Sequence, residues 1–143
     1  METLSVKIKL TADGIIPEKK TAGAACYDCY AAENVVIHPR QTIAVRLGFK
    51  IEIPDGYYAE IRGRSGNSLK GILTMTGTVD SDYRGEVMAI TSNLMTADKP
   101  LEIKRGDRIA QMMIKTVLGT ELQLTSELSE TVRGSNGFGS TGK

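Results

Sequence analysis

Every second residue from Ile43 to Ile53 is a large apolar side chain: Ile43, Val45, Leu47, Phe49, Ile51 and Ile53 alternate with Ala44, Arg46, Gly48, Lys50 and Glu52. Extended backbone sends successive side chains to opposite faces, so this period of two buries all six together on one strand, or on two consecutive strands. On a helix the same residues would be scattered around the axis. Val6, Ile8 and Leu10 repeat the pattern, and shorter strand-like runs occur at Val35 to Ile37, Tyr57 to Ile61, Ile72 to Met75, Val87 to Thr91 and Ile109 to Val117. Turn residues divide them at Ala12-Asp13-Gly14, Pro54-Asp55-Gly56, Asp98-Lys99-Pro100 and Arg105-Gly106-Asp107. Many short strands separated by turns predict an all-β antiparallel sandwich or jelly roll, with one helical turn at Ser65 to Lys70.

A chain of 143 residues sustains one core but not two domains. Its 18 basic and 17 acidic side chains nearly cancel, so no global field draws it to nucleic acid or a membrane, and stable binding to either is not expected. METLSVKIKL opens without an apolar leader, and no apolar run approaches a membrane span, which predicts a soluble, intracellular, cytoplasmic protein. Cys26 and Cys29 form a C-x-x-C. A thioredoxin-type pair opens a helix, and a zinc site needs two further ligands, yet His38 is the sole histidine and there is no third cysteine. Both cysteines therefore read as small strand residues, and His38, before Pro39, as a solvated surface group.

Chemistry is concentrated elsewhere. Gly77 to Glu86, GTVDSDYRGE, places two carboxylates, a tyrosine and an arginine in one glycine-bracketed segment. Valine and tyrosine favour extension while Asp80, Ser81, Asp82 and Gly85 favour reversal, which predicts a β-hairpin carrying ionisable groups. In a straight strand Asp80 and Tyr83 would point to opposite faces, so a shared ligand requires the backbone to turn between them. Gly63-Arg64-Ser65-Gly66 offers a guanidinium, a hydroxyl and open amides, three ways to hold phosphate oxygens; a plain turn explains the tetrapeptide equally. In Arg105 to Gln111, Asp107 and Arg108 read as a structural ion pair and Gln111 as a side chain able to reach a ligand.

From about Thr125 the apolar pattern stops, and the last eleven residues, RGSNGFGSTGK, hold four glycines and one large apolar side chain, Phe138. Such a segment cannot bury enough surface to order itself, which describes a frayed tail. It also carries anion-binding groups, Arg133, Ser135, Ser140 and Thr141, and a ring able to stack on a base, the makeup of a lid that orders on a nucleotide.

Taken in order, the segments at Tyr27-Asp28, GRSG, GTVDSDYRGEV, RGDRIAQM and RGSNGFGSTG resemble the five motifs of the trimeric dUTP pyrophosphatase (dUTPase) family across nearly the whole chain. The resemblance implies a jelly-roll (β-clip) core over residues 1–124, a flexible glycine-rich arm over 125–143, and a homotrimer with shared active sites. It implies conversion of dUTP and water to dUMP and pyrophosphate, with Mg²⁺ held mainly by the triphosphate, limiting uracil in DNA and supplying dUMP for dTMP synthesis. By motif position Asp80 would be the general base for the water attacking the α-phosphorus. Tyr83 would pack under the deoxyribose and exclude a 2′-hydroxyl; Asp82, read from the residues alone, is a turn aspartate that supports the reversal. The backbone of Gly77, Thr78 and Val79 would read uracil, with Met88 nearby. Arg64, Ser65, Gly66 and Gln111 would hold phosphates, and Asp28 would act on the metal through a bound water. From the arm, Phe138 would stack on the base beside Gly139, and Arg133, Ser140 and Thr141 would engage the outer phosphates.

The residue chemistry agrees with these roles. Repulsion from a polyanion raises a carboxylate's proton affinity, which suits a base, and backbone readout of uracil leaves groups unpaired against cytosine. The chain departs from the family pattern at Cys26, Gly63, Asn67, Ser68 and Asn136, none of them assigned chemistry. A dCTP deaminase-like protein shares the fold but activates water with a glutamate and lacks the Asp80 to Tyr83 arrangement and the arm. A trimer that regulates a protein partner remains as a second role.

Overall fold

The computed structural model describes residues 2–142. Along them run β1 (Lys7–Leu10), β2 (Tyr27–Tyr30), β3 (Val35–Ile37), β4 (Thr42–Arg46), β5 (Phe49–Glu52), β6 (Tyr57–Arg62) and α1 (Ser65–Leu69). There follow β7 (Ile72–Thr74), β8 (Gly77–Val79), β9 (Met88–Asn93), β10 (Leu101–Ile103) and β11 (Arg108–Thr116). All strand pairs are antiparallel, in a four-stranded sheet β2-β11-β6-β8, a three-stranded sheet β4-β9-β7, and the ribbons β1-β5 and β10-β3. The all-β expectation and the single helical turn after Arg64 both hold.

The alternating stretch becomes two strands because Gly48 breaks it. Its φ of 76° is a left-handed conformation that glycine adopts without strain. Gly14 crosses it so closely that a Cβ on Gly14 would overlap the Gly48 carbonyl oxygen, which also accepts from the Thr11 N–H at 2.9 Å. The chain thereby leaves β4, paired with β9, and enters β5, paired with β1. Side-chain alternation survives the break. Val45, Leu47, Phe49, Ile51 and Ile53 are all buried, and they join Ile37, Ile61, Val87 and Cys29 in one core. Fully burying each large apolar side chain contributes roughly 1.5–3 kcal/mol, so the period of two is a principal source of stability.

Three sequence expectations are corrected. Gly77 to Glu86 does turn, but it is not a β-hairpin: β8 pairs with β6 while β9 pairs with β4 and β7, so the segment carries the chain between sheets. Leu101–Ile103 forms a strand that the sequence did not announce, bonded to β3. Asp107 and Arg108 do not pair with each other. The Asp107 carboxylate accepts from the Lys104 N–H at 2.8 Å, closing its turn, and Arg108 reaches Asp28 instead.

Cys29 lies fully buried on β2, and burial pushes its thiol up to about 12, while Cys26 is half-buried and unpaired with it. Cys29 is thus a strand residue as expected, whereas Cys26 lies in the bend just before β2. His38 is exposed, as expected. No helix among the described residues is long and apolar enough to cross a membrane. Beyond β11, residues 117 to 136 are exposed throughout and carry no regular element.

Candidate active site

β8 sits at the edge of the four-stranded sheet, so the outer row of its peptide groups has no strand to bond. Val79 is buried and anchors the strand, and Asp80 leaves it into solvent. The Tyr83 N–H donates to the Asp80 carbonyl at 3.1 Å, so the backbone does reverse between the two residues. The Tyr83 hydroxyl then donates to the Glu86 carbonyl at 3.0 Å, and the ring lies on Gly85, where any Cβ would overlap the phenol. Arg84 donates to the Ser81 carbonyl at 2.7 Å and reaches Glu52 at 3.5 Å. Among the described residues the Asp82 side chain makes no hydrogen bond, so turn support comes from Tyr83 and Arg84 rather than from Asp82.

Glu86 closes the turn. Its carboxylate takes Arg46 Nε at 2.9 and 3.3 Å, with Glu33 a further 3.8 Å contact of the same guanidinium. The Glu86 carboxylate holds Arg46 above its ordinary pKa range. Sequence reasoning gives Arg46 and Arg84 no role and pairs Arg108 with Asp107, because the carboxylates they meet, Glu86, Glu52 and Asp28, lie far from them along the chain. Met88, half exposed, stands opposite Arg46 in the β4–β9 register.

A second group gathers at the other end of the sheet. Asp28, Gln111 and Arg62 share one row across β2, β11 and β6. Arg108 Nη1 lies 3.3 Å from Asp28 Oδ2, Gln111 Nε2 donates to the Gly63 carbonyl at 2.9 Å, and Arg64 Nη1 donates to the Arg108 carbonyl at 3.2 Å. These bonds fasten the GRSG segment to β11. Arg64 is the extended residue before α1, and the first helical bond runs from the Ser68 N–H to its carbonyl at 2.9 Å. The short helix therefore gives the amides of Ser65, Gly66 and Asn67 no acceptor. Arg64, Asn67 and Arg108 also line a cavity of about 230 Å³. Arg62 itself is turned to Glu60, whose carboxylate the Arg62 hydrogen bond and Lys115 hold below its ordinary range.

A family model described as dUTPase matches residues 12–142, nearly the whole described chain. The chain belongs to the dUTPase family. A deoxyuridine 5′-triphosphate nucleotidohydrolase of Hydrogenobaculum sp. is 46% identical over 94% of both chains. Its counterpart in Paramecium bursaria Chlorella virus 1 is 43% identical over 99% of both. The solved Staphylococcus bacteriophage 80alpha dUTPase with dUPNHPP superposes with a TM-score of 0.92 at 28% identity, covering 99% of this chain and 100% of that one.

In this dUTPase Asp80 and the Asp28–Gln111 row do not meet within one chain. Val79 stands opposite Ala59 and Gly77 opposite Ile61, so Asp80 departs near the start of β6, whereas the Asp28–Gln111 row crosses its end at Arg62. Four residues of strand separate them, roughly 13 Å at ~3.3 Å per residue. The arm is not brought to either group. Arg133 Nε donates to the Asn136 carbonyl at 2.8 Å, the Ser140 N–H donates to the Gly137 carbonyl at 3.2 Å, and Phe138, Gly139, Ser140 and Thr141 are exposed. An open groove of about 720 Å³, lined by Ile8, Ile16, Tyr27, Tyr57, Met112 and Ile114 among others, contains none of the expected site residues.

Proposed function

We propose that this dUTPase hydrolyses dUTP to dUMP and pyrophosphate in sites completed between copies of the chain, limiting uracil in DNA and supplying dUMP for dTMP synthesis. The observation that carries this reading is the turn that puts an exposed carboxylate, Asp80, and a fixed phenol, Tyr83, beside the free edge of β8. Free edge amides and carbonyls of Gly77 to Val79 match the donor and acceptor pattern of uracil, and cytosine's amine would leave them unpaired. Asp80 takes a proton from water as its oxygen bonds to the α-phosphorus, and the bond to the pyrophosphate oxygen breaks. No covalent enzyme intermediate is required.

Arg64, the open amides of Ser65 and Gly66, and Gln111 hold the phosphate chain, supplied by a neighbouring copy because they lie at the far end of this chain's sheet. Outward-facing Leu73, Met88 and Ile90 on the three-stranded sheet give copies an apolar face to share, in keeping with a homotrimer. Arg133, Phe138, Gly139, Ser140 and Thr141 close over the nucleotide from the arm, which has no fixed seat on its own body.

Among the described residues there is no cluster of three or more metal-binding side chains. Asp28 spends one oxygen on Arg108 and keeps the other, a donor set that suits a hydrated hard cation arriving with the triphosphate rather than a resident one. Mg²⁺ bound there would neutralise charge on the phosphate oxygens. Steady-state hydrolysis of dUTP, dTTP, dCTP and UTP, with and without Mg²⁺, tests the reading. The expected result is a preference for dUTP of about 10²-fold or more, one pyrophosphate per dUMP, and loss of activity on chelation. Ammonia release from dCTP, or equal use of all four nucleotides, would overturn it.

A further inference from the structure

Arg46 meets two carboxylates, Glu86 and Glu33, and no nucleotide-binding role absorbs it. We propose that Arg46 is a positioning residue for Tyr83, acting through Glu86, and so a determinant of discrimination against ribonucleotides. The proposal rests on the reading of Tyr83 as the group that excludes a 2′-hydroxyl.

Tyr83 is 46% exposed, so packing alone does not fix its ring. It is located by two features: the face of Gly85, and the hydrogen bond from its hydroxyl to the Glu86 carbonyl at 3.0 Å. The position of that carbonyl is therefore the position of the ring. Glu86 in turn is restrained on both sides of its Cα. Its peptide neighbour Val87 is buried, donating to the Phe49 carbonyl at 2.9 Å and accepting from the Leu47 N–H at 3.2 Å. Its carboxylate is held by Arg46 Nε at 2.9 and 3.3 Å, with the Glu86 side chain only 15% exposed and Arg46 35% exposed. Removing the guanidinium frees the Glu86 side chain and leaves Glu33, which faces the same guanidinium, without this cation. The peptide plane carrying the Glu86 carbonyl is then held through the Val87 N–H alone, so the acceptor of the Tyr83 hydroxyl loses one of its two restraints. Arg46 sits on β4, opposite Met88, so this brace ties the turn to the three-stranded sheet rather than to β8. An arginine fits this role better than a lysine, because a planar guanidinium offers a fixed donor direction to both carboxylate oxygens.

The test compares kcat/KM for dUTP with that for UTP in Arg46→Gln, Glu86→Gln, the double variant, Arg46→Lys and Tyr83→Ala. Each single glutamine variant is expected to lower the dUTP-over-UTP ratio about tenfold, with no further loss in the double variant and partial recovery in Arg46→Lys. A lower melting temperature or kcat with an unchanged ratio would reduce Arg46 to a structural role and overturn the proposal. Should Arg46→Gln fail to fold, Glu86→Gln reads the same coupling. If Tyr83→Ala lowers the ratio while neither glutamine variant does, the positioning role alone is refuted. An unchanged ratio in Tyr83→Ala refutes the sugar-excluding reading and the proposal with it.

Discussion

The turn from Asp80 to Val87 and the tail from Arg133 to Gly142 are both polar and glycine-bearing, yet the first is fastened to the body and the second only to itself. Val87 bonds Leu47 and Phe49 through its backbone, Glu86 binds Arg46, and Arg84 reaches Glu52. In the tail every hydrogen bond among the described residues is local, such as Asn136 N–H to the Arg133 carbonyl at 3.2 Å. The ordering entropy of the turn is met during folding, and that of the tail must be met when something binds it. Groups that need sub-ångström placement for chemistry belong on the first kind of segment, and groups that close over a bound nucleotide belong on the second.

The largest expected effect tests the fastened segment. Asp80→Asn keeps the shape but cannot accept a proton, so single-turnover hydrolysis should fall by about 10²–10⁴-fold while dUTP affinity, measured by calorimetry, stays within a few-fold. Near-normal pyrophosphate release would remove Asp80 from the chemistry. A smaller loss should follow deletion from Arg133 onward: kcat/KM falls by roughly 10–10²-fold, while the oligomer stays assembled and the melting temperature moves by no more than about 2 °C, because the deleted residues bond only to one another and to the adjacent exposed Thr131. Full activity in the truncated chain would make the tail a frayed end, and a large stability loss would show that it was seated after all. The smallest change should come from Gly85→Ala. The added methyl overlaps the Tyr83 phenol, and since the ring is half exposed it can swing outward, lowering the dUTP-over-UTP ratio about fivefold with the fold intact. An unchanged ratio would mean that the turn positions the ring less tightly than its bonds imply.

Where local rules suffice, the sequence reading and the structure coincide. β3 falls on Val35–Ile37 as expected, and the turns at Pro54 and Arg105 close with Tyr57 N–H to the Pro54 carbonyl at 3.2 Å and Asp107 N–H to the Lys104 carbonyl at 2.9 Å. β10 escaped because Leu101-Glu102-Ile103 has a charged centre and sits between two turn signals, whereas the equally short β3 is β-branched throughout. The supposed hairpin at Gly77 was misread for a different reason. Its residues specify a reversal, but which strands flank it and what each pairs with depends on β6 and β4, far away in the chain.

The sequence by itself determined the strand faces, the turns and the motif order that resembled the dUTPase family, since backbone sterics and hydrophobic period act within a few residues. Tertiary structure alone decided that Arg46 meets Glu86 across forty positions and that Arg108 takes Asp28 across eighty. It alone decided that Asp80 and the Gln111 row lie at opposite ends of one sheet. Such pairings follow from how distant strands register when they bury a shared core, and no local pattern of residues encodes them.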